Sequence, residues 1–516
     1  MLADLVNLPL GELLRRAATL WPNRPAMLGA QRQWSWAQLD VEVDRAAGVL
    51  RDAGVVEGTV LAVLMVKRPE VVVAFLACAR VGAIYVPVNY KLHPEQVADQ
   101  FATAGVSAIV LEPTFEPLLQ HLLPQFPDAR RVIYVDAPGK LGGGSWEAAA
   151  APFVGGPAIT ADTIVFYNYT SGSTGRPKGA ITTHRHINAN AVATSEGLGF
   201  SADDVYLGMF SVFAHPHELF HRSILFGGAF VVAETLNPRV AAEFIARYRI
   251  SWTMGVPSFY EMLLDFRQAH GGDFSSMRVL EAGGAYVSPE TLEHMERAFA
   301  ARFLPVWGCT EASGVGLGML SSGERRPGST GKPIPGYEIR VVSDDGTETP
   351  VGEVGELWLR GEAVVDTYVG QPDETREHFV DGWYQTRDLV RVDQDGFVFF
   401  TGRRSEMLKI AGIRVFPLEI EQVLMQHPEV RGCVVVRAEE RLRGEVARAI
   451  VQLEPGSSLD IRKVQAYCRS QMANYKVPRI VEFWDEIPKL PNGKVDKKAV
   501  VAVAPNPARD DRPHAG

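Results

Sequence analysis

Tyr169-Thr-Ser-Gly-Ser-Thr-Gly-Arg-Pro-Lys-Gly179 gathers the hydroxyls of Thr170, Ser171, Ser173 and Thr174, the glycines Gly172, Gly175 and Gly179, and the cation Lys178 in one short stretch. Glycine lets the backbone take turns closed to other residues, so several amide N–H groups can point into one concavity that suits phosphate oxygens. The hydroxyls add donors and Lys178 adds a full positive charge. The stretch is therefore read as a polyphosphate-holding loop. It is not a Walker A loop, because Lys178 is followed by Gly179-Ala180 where Ser or Thr is required. A Gly/Ser/Thr run is also what a plain flexible loop looks like.

Further along, Trp307-Gly-Cys-Thr-Glu311 puts an aromatic ring, a hydroxyl and a carboxylate side by side. Trp307 could stack on a base and Thr310 could donate to a phosphate. Glu311 could hold Mg²⁺, which prefers a few carboxylates together with phosphate oxygens. An ordinary turn is the plain alternative, as it is for Gly283-Gly-Ala285 upstream. Asp381-Gly-Trp-Tyr-Gln-Thr-Arg-Asp388 ends in a carboxylate able to accept from both hydroxyls of a ribose, or else in a surface Asp of a β turn. In Pro488-Lys-Leu-Pro-Asn-Gly-Lys494, Pro and Gly form a tight loop that presents Lys494 at a fixed position.

Taken in order, these stretches resemble the motifs of the adenylate-forming superfamily, the acyl-CoA synthetases and their relatives, from about residue 10 to about residue 500. The resemblance implies that residues 170–178 hold the β- and γ-phosphates of ATP. It implies that Gly283, Gly284 and Ala285 line the adenine side, with Trp307 and Gly308 bordering the base. Thr310 would contact the α-phosphate and Glu311 would bind Mg²⁺. Asp388 and Arg403 would meet the ribose, and Lys494 would be the catalytic lysine bridging carboxylate and α-phosphate. Gly402-Arg-Arg-Ser-Glu-Met-Leu-Lys-Ile-Ala-Gly412 resembles the hinge, with Ser405 where the family has Asp or Lys. Lys409, Gly412 and Arg414 match the segment that meets CoA. His215, also counted among the catalytic residues, is expected in the acyl pocket with Gly255, Val256, Ala312 and Gly314. Arg387 stands where the family usually has Gly, which bears on the backbone next to Asp388.

His217-Glu-Leu-Phe-His221 also fits H-E-x-x-H, the zinc-protease pattern, with Glu218 as the base. Its longer extension is missing, since Arg222-Ser-Ile follows where x-x-Gly is required, and a zinc site is not expected. The irregular spacing of Phe213-Ala-His-Pro-His217 makes His215, rather than His217, the expected acyl-pocket histidine.

The elements that must position these residues follow from patterning. Ser35-Trp-Ala-Gln38 is a capping box, and Leu39, Val43, Ala46 and Leu50 lie on one face of the helix after it. Val60–Met65, Ile84–Val88, Ala108–Leu111, Val165–Tyr167, Phe230–Val232 and Met277–Leu280 read as strands. Between the first of these, helices are expected from Pro69 to Gly82 and from His93 to Ala104. Such alternation predicts an α/β fold with mainly parallel sheets. After Gly331, short strands at 338–342, 355–360 and 397–401 predict an antiparallel β subdomain. Beyond Gly402 a small α+β domain is expected, with helices from Pro417 and Ile461 and strands near Cys433 and Ile450. The expected division is a large domain 1–403 (β subdomain about 325–402), a hinge at 404–406, a mobile small domain 407–503 and a disordered tail 504–516.

Composition bounds the rest. A chain of 516 residues with 46% apolar and 22% charged residues is long enough for several buried cores. The net charge of −9 disfavours a general nucleic-acid binder. Four scattered cysteines and the absence of a signal-like start point to a reducing cytoplasm, and no apolar run is long enough for a transmembrane segment. Oligomeric state is not legible, and a homodimer is allowed. The expected activity is ATP-dependent activation of a carboxylic acid to acyl-AMP, then transfer to CoA. A medium- or long-chain aliphatic acid is expected first and an aryl acid second. Transfer to a carrier protein and a non-catalytic nucleotide-binding relative are the alternatives.

Overall fold

Ser35 caps the helix Trp36–Asp52 by the expected reciprocal bonds with Gln38, and the helix buries Leu39, Val43, Ala46 and Leu50. The helix Pro69–Val81 ends at Gly82, whose φ of 74° is the left-handed C-cap that glycine adopts without steric cost. Both features belong to a computed structural model. It describes residues 2–506, apart from 130, 149, 154, 157, 171–176, 214, 235–236, 322, 411–412, 441–443 and 491–494. The tail expected from 504 therefore lies, from 507 on, outside the described residues.

The chain divides into two compact units. One comprises Met1–Arg326, Thr330–Ile339 and Leu359–Gln385, the other Pro327–Ser329, Arg340–Trp358 and Thr386–Gly516.

The first unit is α/β. One of its sheets sets Arg131–Tyr134, Ala108–Leu111, Val60–Leu64, Ile84–Pro87 and Ile164–Tyr169 in parallel neighbour order, with Gly179–Thr183 antiparallel at the edge. The central strands Val60–Leu64, Ile84–Pro87 and Ala108–Leu111 are buried along their whole length, as strands of a parallel sheet covered on both faces are. A second sheet sets Arg302–Cys309, Val279–Gly283, Trp252–Gly255, Val205–Gly208, Ala229–Val231 and Pro25–Leu28 in parallel. Gly314–Gly318 returns antiparallel beside Arg302–Cys309. Within this unit a guanidinium–carboxylate pair, Arg222 to Glu281 at 2.7 and 3.0 Å, is fully buried, and Trp252 Nε1 donates to the same carboxylate at 2.9 Å.

The second unit carries antiparallel pairing of Asp388–Val392 with Val398–Arg403, and a hairpin of Leu408–Ile410 with Ile413–Val415. The long antiparallel pair Val430–Glu440 and Gly444–Leu453 has Ile480–Phe483 parallel on its outer side. Helices Pro417–Met425 and Ile461–Gln471 close this core around Ile420, Leu424, Val464 and Cys468.

Two expectations shift. The strand placed at Met277–Leu280 begins at Val279, because Met277 N–H closes a turn on Phe274 O at 3.1 Å. The Asp381–Asp388 stretch is mostly strand, Trp383–Val392, with its turn confined to Asp381 and Gly382. Among the described residues no helix is long and apolar enough to cross a membrane, and no disulfide links the four cysteines.

Candidate active site

In open α/β sheets, ligands bind outside the carboxyl ends of the strands. Trp252–Gly255, Val279–Gly283 and Arg302–Cys309 are adjacent parallel strands, and each delivers expected site residues from that end. Gly255 leads into Val256, which precedes the helix Pro257–His270. Gly283 leads into Gly284 and Ala285, both exposed. Trp307 and Gly308 lie in the third strand, and Thr310, Glu311 and Ala312 form the turn that reverses it. This turn explains two glycines. A Cβ on Gly308 would sit 2.3 Å from Gly314 O, and Gly314 itself has a φ of 135°.

The ends of the expected phosphate loop are held by the hairpin of Ile164–Tyr169 with Gly179–Thr183, in which Tyr169 pairs with Gly179. Thr170 N–H donates to Lys178 O at 2.9 Å, and Lys178 N–H donates to Thr170 Oγ1 at 3.2 Å. Ser171, Gly172, Ser173, Thr174 and Gly175 lie outside the described residues.

A strap at residues 363–371 joins these two regions. Val365 N–H donates to Glu311 O at 2.9 Å, Ile181 N–H to Thr367 O at 3.0 Å, and Val369 N–H to Gly179 O at 2.8 Å. The strap brings Tyr368 between the motifs. Its hydroxyl donates to Glu311 Oε1 at 2.5 Å, and its ring lies 5.4 Å from Lys178 Nζ. Burial first, and the Glu311 carboxylate second, raise the Tyr368 phenol far above its usual range, so it remains a donor. The helix after the strap, Pro372–His378, places Glu374 Oε2 2.5 Å and His378 Nε2 2.7 Å from Lys178 Nζ. Tyr368, Glu374 and His378 escaped the sequence reading. Their link to Lys178 depends on a strap pairing with a strand nearly two hundred residues earlier, and hydrophobic periodicity carries no trace of it.

Among the residues expected at an acyl pocket, His215 adopts a left-handed φ of 51° and keeps 20% side-chain exposure, with Nδ1 3.4 Å from Asn168 Nδ2. His217 is buried, its Nε2 3.0 Å from Ser313 O. Burial and the flanking histidines keep its imidazole neutral. His217 sits in the short 3₁₀ turn Pro216–Leu219 and His221 begins a separate helix, their rings 6.3 Å apart and nearly perpendicular. The two imidazoles therefore do not share one helix face as H-E-x-x-H zinc binding needs. Among the described residues no cluster of three or more His, Cys, Asp or Glu could hold a metal by itself. Glu218 is buried beside them, its Oε1 2.6 Å from where a Cβ on Gly314 would stand. Burial raises its carboxyl to about 8.

In the second unit, Asp388 is buried in its strand and Arg403 Nε lies 3.1 Å from Asp388 Oδ1 across the pairing of the two residues. Arg387, the residue in the usual glycine position, takes a φ of 63°, with its N–H bonded to Glu356 Oε1 at 3.1 Å. Ser405 is exposed in a turn, in which Glu406 N–H donates to Arg403 O at 3.0 Å. Lys409 is exposed, and Arg414 joins Arg404 on the Asp344 carboxylate. Gly412 and Lys494 lie outside the described residues; Lys489 and Val495 form an antiparallel bridge.

Comparison with known proteins agrees with this architecture. The AMP-binding enzyme family profile matches residues 14–369, and the AMP-binding enzyme C-terminal domain matches 419–494. A feruloyl-CoA synthase of Amycolatopsis sp is 30% identical over 505 residues, covering 96% of this chain and 99% of that protein. The fatty acid–[acyl-carrier-protein] ligase ScoC of Streptomyces coeruleorubidus is 32% identical over 490 residues, covering 92% of each. The crystal structure of the anthranilate CoA ligase AuaEII in complex with anthranoyl-AMP superposes with a TM-score of 0.88 at 26% identity, over 97% of this chain and 98% of that one. The chain belongs to the adenylate-forming superfamily, as an AMP-forming enzyme of the acyl-CoA synthetase type.

Proposed function

We propose that the protein activates a carboxylic acid with Mg-ATP and passes the acyl group to CoA, using the residues assigned from the sequence. The observation that carries this reading is Tyr368, whose one side chain spans from the Glu311 carboxylate to the Lys178 ammonium. A carboxylate beside a phosphate loop suits Mg²⁺, which takes one or two carboxylates and fills its shell with phosphate oxygens and water. Glu311 would hold the ion, and the ion would neutralise charge on the phosphate oxygens. Lys178 and the 170–175 backbone would bind the β- and γ-phosphates. Trp307, Gly308 and residues 283–285 would border adenine, while Asp388 and Arg403 would hold the ribose.

The substrate carboxylate oxygen attacks the α-phosphorus, the bond to the bridging oxygen breaks, and pyrophosphate leaves. Negative charge grows on the α-phosphate oxygens, where Thr310 and Lys494 would supply a fixed donor and a cation. In the second half the CoA thiolate attacks the acyl carbonyl and AMP leaves, with Lys409, Gly412 and Arg414 on the CoA side and Ser405 as the hinge. The corresponding domain scheme is a large domain to 403, a small one from 407 to 503 and a cytoplasmic protein, with a homodimer as the assembly to test.

His215, Gly255, Val256, Ala312 and Gly314 are assigned to the acyl pocket. A medium- or long-chain aliphatic acid and an aryl acid are the two classes proposed. The ScoC relative supports the first, and the relatives named for ferulate and anthranilate support the second. ScoC also supports a second reading in which a carrier protein replaces CoA.

The experiment is pyrophosphate release with Mg-ATP across aliphatic, aryl and dicarboxylic acids, each with and without CoA. Acid-dependent release that accelerates with CoA supports the synthetase and identifies the acid class. Release that stops near one turnover despite CoA favours the carrier protein. No release with any acid overturns the catalytic reading.

A further inference from the structure

We propose that His378 and Glu374 are positioning residues for the Lys178 ammonium: His378 aims it, and Glu374 occupies it until a polyphosphate takes its place. The inference rests on the reading of residues 170–178 as the triphosphate loop.

Lys178 is only 14% exposed, and the strap and the helix Pro372–His378 pack against it. Its Nζ lies 2.7 Å from His378 Nε2. The other ring nitrogen, Nδ1, lies 3.3 Å from Gln385 O. A carbonyl only accepts, so Nδ1 carries the proton and Nε2 presents a lone pair. His378 thus receives an N–H from the ammonium and fixes its direction without cancelling its charge. Gln371 Nε2 donates to Pro177 O at 3.3 Å and ties the same helix to the residue before the lysine.

Glu374 acts differently. Its carboxylate lies 2.5 Å from Nζ and is 43% exposed, whereas His378 is 11% exposed. While Glu374 is in place, an arriving triphosphate meets a neutralised ion pair. The γ-phosphate and the carboxylate are both anions and cannot share one ammonium without repulsion. Glu374 is the more exposed of the two and the one that carries the same sign of charge as the phosphate, so it is the group that leaves. His378 is held by Gln385 and stays. Binding of polyphosphate is therefore an exchange of one anion for another on Lys178, and Glu374 sets its cost.

The test needs no knowledge of the acid. Calorimetric titrations of the full chain use Mg-ATP, inorganic tripolyphosphate and AMP as probes. Glu374→Gln should tighten ATP and tripolyphosphate about 3- to 10-fold, the scale of one half-exposed ion pair plus relieved repulsion, and leave AMP unchanged. His378→Ala should weaken both polyphosphates about threefold or more, the scale of one charge-assisted hydrogen bond partly replaced by water. His378→Gln, which keeps an acceptor at the position of Nε2, should restore them. In turnover, Glu374→Gln should lower the KM for ATP with kcat little changed. Polyphosphate affinity unmoved in Glu374→Gln, or AMP affinity changed by the same factor, overturns the inference. Wild-type protein that binds neither ATP nor tripolyphosphate would instead overturn the triphosphate-loop reading beneath it.

Discussion

The Tyr368 hydroxyl donates a 2.5 Å hydrogen bond to Glu311 Oε1, joining residues 57 apart in sequence. Groups that orient a metal-holding carboxylate control how well it binds. Tyr368→Phe removes the donor but keeps the ring over Lys178. Mg²⁺ affinity or adenylation should fall about 10- to 100-fold, the usual cost of losing such a partner. A Mg²⁺ titration of acid-dependent ATP–pyrophosphate exchange reads it. An unchanged Mg²⁺ midpoint together with unchanged exchange would mean that Glu311 does not hold the ion.

Lys494→Ala should separate the two half-reactions. Adenylation should drop by at least ~10²-fold, the scale of one lost transition-state donor. Thioester formation from supplied acyl-AMP should be far less affected. Stopped-flow assays of each half check this, and equal losses in both would remove Lys494 from its assigned role.

Asp388 and Arg403 meet at 3.1 Å on paired strands, so the carboxylate arrives already oriented. If it accepts from ribose hydroxyls, Asp388→Ala should raise the KM for ATP by about 10- to 100-fold, the value of a charged hydrogen bond. The same variant should discriminate ATP from 2′-deoxy-ATP less than wild type does. Undiminished discrimination would place the ribose elsewhere.

Much of this arrangement was legible beforehand, and the legible part has a common cause. The capping box at Ser35 and Gln38, the stop at Gly82 and the apolar strands from Val60 to Leu111 are local signals, and local physics decides them. The order of the chemical motifs was likewise written in residue types. What escaped depends on long-range pairing. Tyr368, Glu374 and His378 reach Lys178 only because Thr367 and Val369 bond to the strand beginning at Gly179. The start of the strand at Val279 was misplaced because Met277 has the right side chain for a strand but a backbone committed to a turn. Arg387 announced an anomaly without stating its form, since a left-handed φ cannot be read from an arginine.

Buried histidines give the stability a pH signature. His184 and His221 are fully buried, and burial lowers each from 6.5 to about 3. They stay neutral in the fold, while in the unfolded chain they take up protons below about pH 6.5. Their contribution is therefore complete above pH 6.5 and drains as the pH falls towards 3, by about 1.4 kcal/mol per pH unit for each. Glu218, raised from 4.5 to about 8, has the opposite sign: its contribution is present below 4.5 and is lost as the pH rises to 8. Urea unfolding between pH 6.5 and 5 should show a shallower acid loss in His221→Gln, by about one proton, and a steeper one in Glu218→Gln. Parallel profiles for all three proteins would show that these groups titrate alike in both states.

Arg387 precedes Asp388 with a φ of 63°, in the region that favours glycine. For a residue with a Cβ that conformation costs about 1–2 kcal/mol. Its guanidinium lies 4.0 Å from Glu356, a carboxylate that Arg404 reaches at 3.3 Å. The backbone bond from Arg387 N–H to Glu356 survives any substitution that keeps the turn. Glycine would relieve the strain but give the unfolded chain more freedom, worth about 0.4–1 kcal/mol in the other direction. On these backbone terms Arg387→Gly should stabilise the protein by about 0.5–1 kcal/mol, with the KM for ATP unchanged because the Asp388 carboxylate keeps its partner. Urea midpoints and ATP kinetics on the same preparation check both halves. Destabilisation would show that the arginine side chain, rather than its backbone, holds this corner.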